Sequence, residues 1–213
     1  DAVCTSFMEY DPETCQLTMQ DCNNSAFVHG KAFKVEYCRQ NNITFPDQKW
    51  FEDGAFNFLA LNLTKKIVRD PTVTYMWQKN KKSITRSQDY NWVVQPFYIA
   101  AYTRAYPILA EKDQRQANFF ATGLLIYAYY YFAAFKLRKK EEELLEYIHL
   151  LDEAFEEMDI FESINNDKGI FEELCRIDTS TKQAIESQEG VLIVTTSLNE
   201  WLFKFFGKKI KWL

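Results

Sequence analysis

Four of the chain's five cysteines crowd its first 38 residues, at Cys4, Cys15, Cys22 and Cys38, with Cys175 alone far downstream. An even, crowded set of this kind reads as disulfides bracing a small module that folded in an oxidising compartment. Four cysteines allow three pairings, and the spacing selects none of them. A structural zinc site is the rival chemistry. Zinc knuckles, however, set two cysteines two to four residues apart, whereas ten, six and fifteen residues separate these. Disulfides are therefore expected, with no metal and no cofactor. Cys175, sharing a helical face with Phe171 and Leu174, reads as a packing cysteine.

The remaining reactive residues are sparse. Glu146 and His149 stand one helical turn apart, the spacing that carboxylate-bridged metal bundles use, but those sites need a second such pair. The only other histidine is His29. Beside Leu145 and Ile148, His149 reads as a core or edge residue. Two histidines also give no specific nucleophile–base pairing. No glycine-rich phosphate loop is present among six scattered glycines. One hydrolytic arrangement survives: Glu52, beside Asp53 and after Trp50-Phe51, could protonate a glycosidic oxygen in an aromatic groove. Acidic residues at a helix start give the same pattern for purely structural reasons, and that reading is preferred.

A net charge of −5 argues against nucleic acid as a partner, because phosphate binding needs basic surface. With 47% hydrophobic and 16% aromatic residues, the chain can fill a substantial core and is not disordered. It opens Asp-Ala-Val-Cys without an initiator methionine, and is expected to be a mature product whose signal peptide has been removed. Sequons at Asn23, Asn42 and Asn62 add weak support for secretion, and the cysteines fit a periplasm equally well. The protein is accordingly expected to be secreted or periplasmic.

Residues 119–135 form an uncharged run followed by Lys136, Arg138, Lys139 and Lys140, which resembles a membrane span. Tyr127, Tyr129, Tyr130 and Tyr131 lie mid-run, where spanning helices avoid tyrosine. A buried central helix is therefore expected. Residues 1–45 are expected to form a cysteine-rich hairpin module turning at His29-Gly30, with Phe33, Val35 and Tyr37 alternating along its second arm. Residues 46–213 are expected to form a helical domain. Asp47 should cap a helix carrying Phe56, Leu59, Ala60, Leu63 and Ile67, which ends at Asp70-Pro71. Pro71 should start another helix through Met76 and Trp77. Ser87 or Asp89 should cap a further segment, and Pro96 and Pro107 should bracket a short aromatic helix. Residues 113–164 should supply two packed helices breaking near 136–141, the second with the apolar stripe Leu144, Leu145, Ile148, Leu151, Phe155 and Met158.

The fold expected is thus mainly α: a multi-helix globular bundle with a small disulfide-stapled N-terminal β-hairpin. The function expected is that of an exported, non-catalytic protein-binding or adaptor module. Its candidate contacts are the aromatic residues Tyr90, Trp92, Phe97, Tyr98 and Tyr102, with Glu142, Glu146 and Glu153 on an acidic helix face. The alternatives are a carrier holding a small apolar ligand beside the tyrosine-rich helix and a glycan-cleaving hydrolase using Glu52. The C-terminal mixture of Trp201, Phe203, Phe205, Phe206 and Trp212 with Lys204, Lys208, Lys209 and Lys211 suits a docked helix with snorkelling lysines, or peripheral membrane contact.

Overall fold

The structure, a computed structural model, describes residues 1–23, 27–80, 83, 90–135, 140–170, 172 and 191–212. The chain packs as two compact units, Asp1–Ala101 and Tyr102–Leu213.

The first unit is built on a four-stranded mixed sheet, and its spine is the first strand, β1 (Ala2–Asp11). Strand β2 (Gln16–Gln20) pairs antiparallel with the far half of β1, placing Met19 opposite Met8 and Leu17 opposite Tyr10. Strand β3 (Lys31–Phe33) pairs antiparallel with the near end, placing Lys31 opposite Cys4. Strand β4 (Ile67–Gln78) runs parallel to β1 along almost its whole length. Because β4 occupies one edge of β1 throughout, β2 and β3 share the other edge end to end.

These strands overturn the expected fold class. The sheet replaces a stapled hairpin, and no two of the described cysteines lie at disulfide distance. Cys4 and Cys22 are instead buried as single packing residues, Cys15 is exposed at the β1–β2 turn and Cys38 is half-buried. Cys175 lies outside the described residues. With no pair to join, the four N-terminal cysteines stop arguing for an oxidising compartment.

Two local readings fail for identifiable reasons. The alternation of Phe33, Val35 and Tyr37 predicts a strand, yet the chain turns into helix α1 (Val35–Gln40) directly after Phe33. That turn buries Tyr37, whose hydroxyl donates to the Ala60 carbonyl at 2.8 Å, and leaves Val35 exposed. Burial there pushes the Tyr37 phenol up to about 12, with a smaller contribution from Cys38. Pro71 starts no helix. Thr5 stands opposite Asp70 and Ser6 opposite Val73, so Pro71 and Thr72 bulge out of the ladder. A proline without an N–H is tolerated in a strand at such a bulge, and Asp70 Oδ1 braces it by accepting the Thr72 N–H at 2.8 Å.

Helix α2 (Glu52–Asn62) buries Ala55, Phe56, Leu59 and Ala60. It begins at Glu52 rather than near Asp47, because Phe51 adopts a left-handed conformation (φ 61°) that swings its ring back over Gly54. A Cβ on Gly54 would lie 2.2 Å from Phe51 Cζ. The same ring packs on Phe58 (5.4 Å) and Tyr98 (4.9 Å), so it has little room to yield. Gly54→Ala is therefore expected to destabilise by about 1–3 kcal/mol in urea unfolding, against the ~1 kcal/mol gain that Ala brings to a helix interior. With Phe51 already replaced by Ala, the sign should reverse.

Helix α3 (Tyr90–Val93) is short, and α4 (Gln95–Ala110) carries the boundary between the units. Pro107 does not end α4. The helix continues through it for another turn, contrary to the expected bracket.

In the second unit the expected helix pair is present as α5 (Gln114–Phe135) and α6 (Glu141–Glu157), followed by α7 (Ile160–Asn166) and α8 (Val191–Phe206). The break between α5 and α6, with Lys136, Arg138 and Lys139, lies outside the described residues, as do the proposed caps Ser87 and Asp89. Among the described residues no helix is long and apolar enough to cross a membrane. The buried side of α6 carries Tyr147, Ile148, Leu151, Ala154 and Phe155, running on to Met158. Leu145 faces out, and Tyr147 takes the place expected for it. Trp201, Leu202 and Phe206 of α8 are buried with Ile210, and Phe206 packs on Phe155 at 5.3 Å.

Candidate functional site

The two faces of the sheet and its β4 edge carry most of the first unit's distinctive chemistry. Alternation along β1 sends Phe7 to one face and Ala2, Cys4, Ser6 and Met8 to the other.

On the first face His29, at the turn before β3, is walled in by rings. It stacks on Tyr75 (4.8 Å, 11°), lies parallel to Phe27 (6.1 Å, 11°), and meets Phe7 edge-on (5.6 Å) and Trp77 at a tilt (5.8 Å). The register makes this possible, since Phe7 pairs with Tyr75 and Glu9 with Trp77. Phe7 is buried to 1% exposure, so this cluster is a small second core rather than an open cage.

The opposite face holds a half-buried group of titratable residues. Lys31, paired across from Cys4, donates its ammonium to the Phe27 carbonyl. Burial lowers the Lys31 pKa, and nearby Cys4 and Asp53 partly offset this. Burial likewise pushes the Cys4 thiol up, outweighing Lys31 and Arg69, with Cys22 adding to the rise. Cys4 is 2% exposed. A buried, protonated thiol is a poor nucleophile, so the group lacks an activated attacking atom.

Asp53, in the first turn of α2, is raised from 3.8 by burial and by Glu52, against the lowering pull of His29 and Lys31. A raised carboxyl means the folded chain binds more protons than the unfolded chain between the two pKa values. Stability from this group is therefore fully present below the ordinary carboxylate value and is lost as pH rises through the folded value. Asp53→Asn should flatten the decline in stability as pH climbs from 3.8, read as urea midpoints across that range. An unchanged slope would contradict the assignment.

The third feature is the edge. Among the described residues β4 has β1 as its sheet partner, and side chains along it are open to solvent. Val68 is 61% and Met76 60% exposed, with Val73 and Tyr75 at 44%. The Pro71 bulge divides the strand. The part after it, residues 73–78, reads Val-Thr-Tyr-Met-Trp-Gln, with no charge, proline or glycine. Lys79 donates its N–H to the Tyr10 carbonyl at 2.8 Å, so alternation directs the Met76 and Gln78 backbone groups away from β1.

The residues singled out from sequence are distributed differently. Trp92, Phe97 and Tyr98 are half-buried, and Tyr98 packs on Phe51 and Phe58. The Tyr90 side chain lies outside the described residues. In the second unit Tyr102 is buried and stacks on Phe120 at 4.2 Å. Glu142, Glu146 and Glu153 are exposed on α6. His149 is not a core or edge residue: it stands in solvent, with Nε2 3.5 Å from Glu153 Oε1. Glu52 is exposed at the start of α2. Tyr129 meets Trp201 edge-on at 5.5 Å, and Tyr127 packs on Tyr131 at 4.6 Å. Among the described residues no three His, Cys, Asp or Glu side chains gather to hold a metal. The edge residues 73–78 were missed, although their β-branched and aromatic run is the ordinary signal for a strand.

Compared with known proteins, the chain matches no family model, no curated protein and no solved structure.

Proposed function

We propose that this chain is a non-catalytic protein-binding module that takes up an extended segment of another protein along β4. The observation that carries it is the uncharged run 73–78, exposed except at the half-buried Trp77, which lies on a sheet edge among the described residues. Proteins ordinarily blunt such edges with charge, proline or bulges. Here the bulge at Pro71 protects the first part of β4 and leaves the second open. Strand addition draws affinity from main-chain hydrogen bonds and specificity from alternate side chains, and Met76 and Gln78 direct their main-chain groups outward.

Charge defines the partner further. Lys65, Lys66 and Arg69 are exposed at the start of the edge, and Lys81 and Lys82 follow its end in the sequence. A segment with a β-branched centre and acidic flanks is complementary to that arrangement, despite the chain's overall negative charge. An edge of this length supports weak, transient association rather than a permanent complex.

The test is a labelled peptide of alternating Thr and Val with paired Glu at both ends, titrated by fluorescence anisotropy. Binding should saturate and weaken with salt. Met76→Pro removes one outward donor while sparing the β1 ladder, and should weaken binding by about tenfold or more. Met76→Leu should leave it nearly unchanged. No binding by the native chain, or equal binding by the proline variant, sinks the reading.

A further inference from the structure

Three of the chain's four methionines stand in one row across three strands. Met8 lies on the central strand, paired with Met19 of β2 on one side and Met76 of β4 on the other. Register partners project to the same face, with neighbouring Cβ atoms about 5 Å apart. Met19 and Met76 are 59% and 60% exposed and Met8 is half-buried, so the central thioether lies deeper than the flanking two. Unbranched side chains with three rotatable bonds can swing their sulfurs together over that span.

The surroundings narrow the chemistry. The adjoining row on one side carries Leu17, Tyr10 and Gln78, and on the other Ser6, where the pairing with β4 is irregular. Neither row adds a carboxylate or an imidazole. Neutral thioethers are poor ligands for magnesium, calcium or zinc, but soft, polarisable donors suit monovalent d10 ions. Such an ion accepts three sulfurs in a nearly planar or shallow pyramidal arrangement, with no proton to displace and no charge to bury beyond its own.

We propose that Met8, Met19 and Met76 form a surface site for a soft monovalent cation, Cu(I) in the reducing state and Ag(I) as its redox-inert analogue. The site shares Met76 with the edge proposed for peptide uptake, while Met8 and Met19 lie on β1 and β2, away from that edge.

The experiment uses the full chain labelled with 13C at the methionine methyls and carrying Cys15→Ser, which removes the exposed thiol at the neighbouring turn. Silver acetate is titrated while proton–carbon correlations are recorded. The methyl signals of Met8, Met19 and Met76 should move together along one binding curve. Met158, which is fully buried in the second unit, should stay in place. Met19→Leu and Met76→Leu should each weaken the response of the two remaining methyls by about tenfold or more. Methyls that shift independently, that fail to shift, or that move only together with Met158 overturn the proposal. Because Met19→Leu should weaken the ion's effect while leaving peptide binding along β4 in place, failure of the metal site and failure of the edge-pairing reading give different results.

Discussion

Replacing Phe7 by Ala is expected to destabilise the first unit by about 3–5 kcal/mol, the range for emptying a buried aromatic site. Phe7 is 1% exposed and lies beneath both Phe27 and His29, which meet its ring at 5.7 and 5.6 Å. Truncation leaves a void that the sheet cannot close, because β1 is hydrogen-bonded along both edges. The rings resting on Phe7 also position Tyr75 and Trp77, so edge pairing should weaken together with stability. Leu17→Ala is the control. At 55% exposure Leu17 should change stability by no more than about 0.5 kcal/mol. Urea unfolding followed by near-UV circular dichroism separates the two, and similar midpoints would show that the aromatic cluster is not a core.

Gly30→Ala is expected to be the most damaging backbone change, costing about 2–4 kcal/mol. Gly30 has φ +68°, and a Cβ there would lie 2.7 Å from the Thr5 carbonyl oxygen. Left-handed backbone alone costs an L-residue about 1–2 kcal/mol. The rest comes from moving the turn. The Gly30 carbonyl accepts the Thr5 N–H at 2.7 Å and the Thr5 hydroxyl at 2.8 Å, and backing away strains both bonds. Gly207 separates the two contributions. Its φ is +63°, but nothing lies within 4 Å of the corresponding Cβ. Gly207→Ala should therefore cost only the conformational part, about 1–2 kcal/mol. Equal losses at both glycines would mean that the contact with Thr5 carries no weight.

The helices of the second unit were legible because long amphipathic segments repeat their pattern often enough to outweigh single exceptions. Ile148, Leu151, Phe155 and Met158 are buried as their spacing predicts. Tyr147 was hidden from that pattern because a phenol reads as polar, while inside the unit burial shifts its pKa strongly upward and keeps it neutral. The sheet was harder to read, for three reasons. β1 contains Cys4, and taking the cysteines as staples obscured their role as small apolar fillers. The β-forming run 73–78 followed a proline, which marks a helix start far more often than a bulge. The short β3 gave way to α1 after three residues, too few for alternation to separate strand from helix. The candidate contacts were chosen by residue type, which does not tell an outward ring from an inward one. Aromatic residues such as Tyr98 and Tyr102 mark good contact surfaces, but here their partners are Phe51, Phe58 and Phe120 of their own units. Edge position depends on pairing between distant segments, which no local pattern encodes.

The parallel pairing of β1 with β4 has a kinetic consequence. The Asp1 main-chain nitrogen donates to the Lys66 carbonyl at 2.9 Å, across 65 residues of chain. During synthesis β1 must wait for all of that chain to emerge before it gains its longest partner. Closing so large a loop delays the reward of native contacts, which slows folding by comparison with helical neighbours. Helices α5, α6 and α7 of the second unit build from local backbone contacts, so after dilution from denaturant their helical signal should recover first, leaving the N-terminal sheet to complete the slower phase.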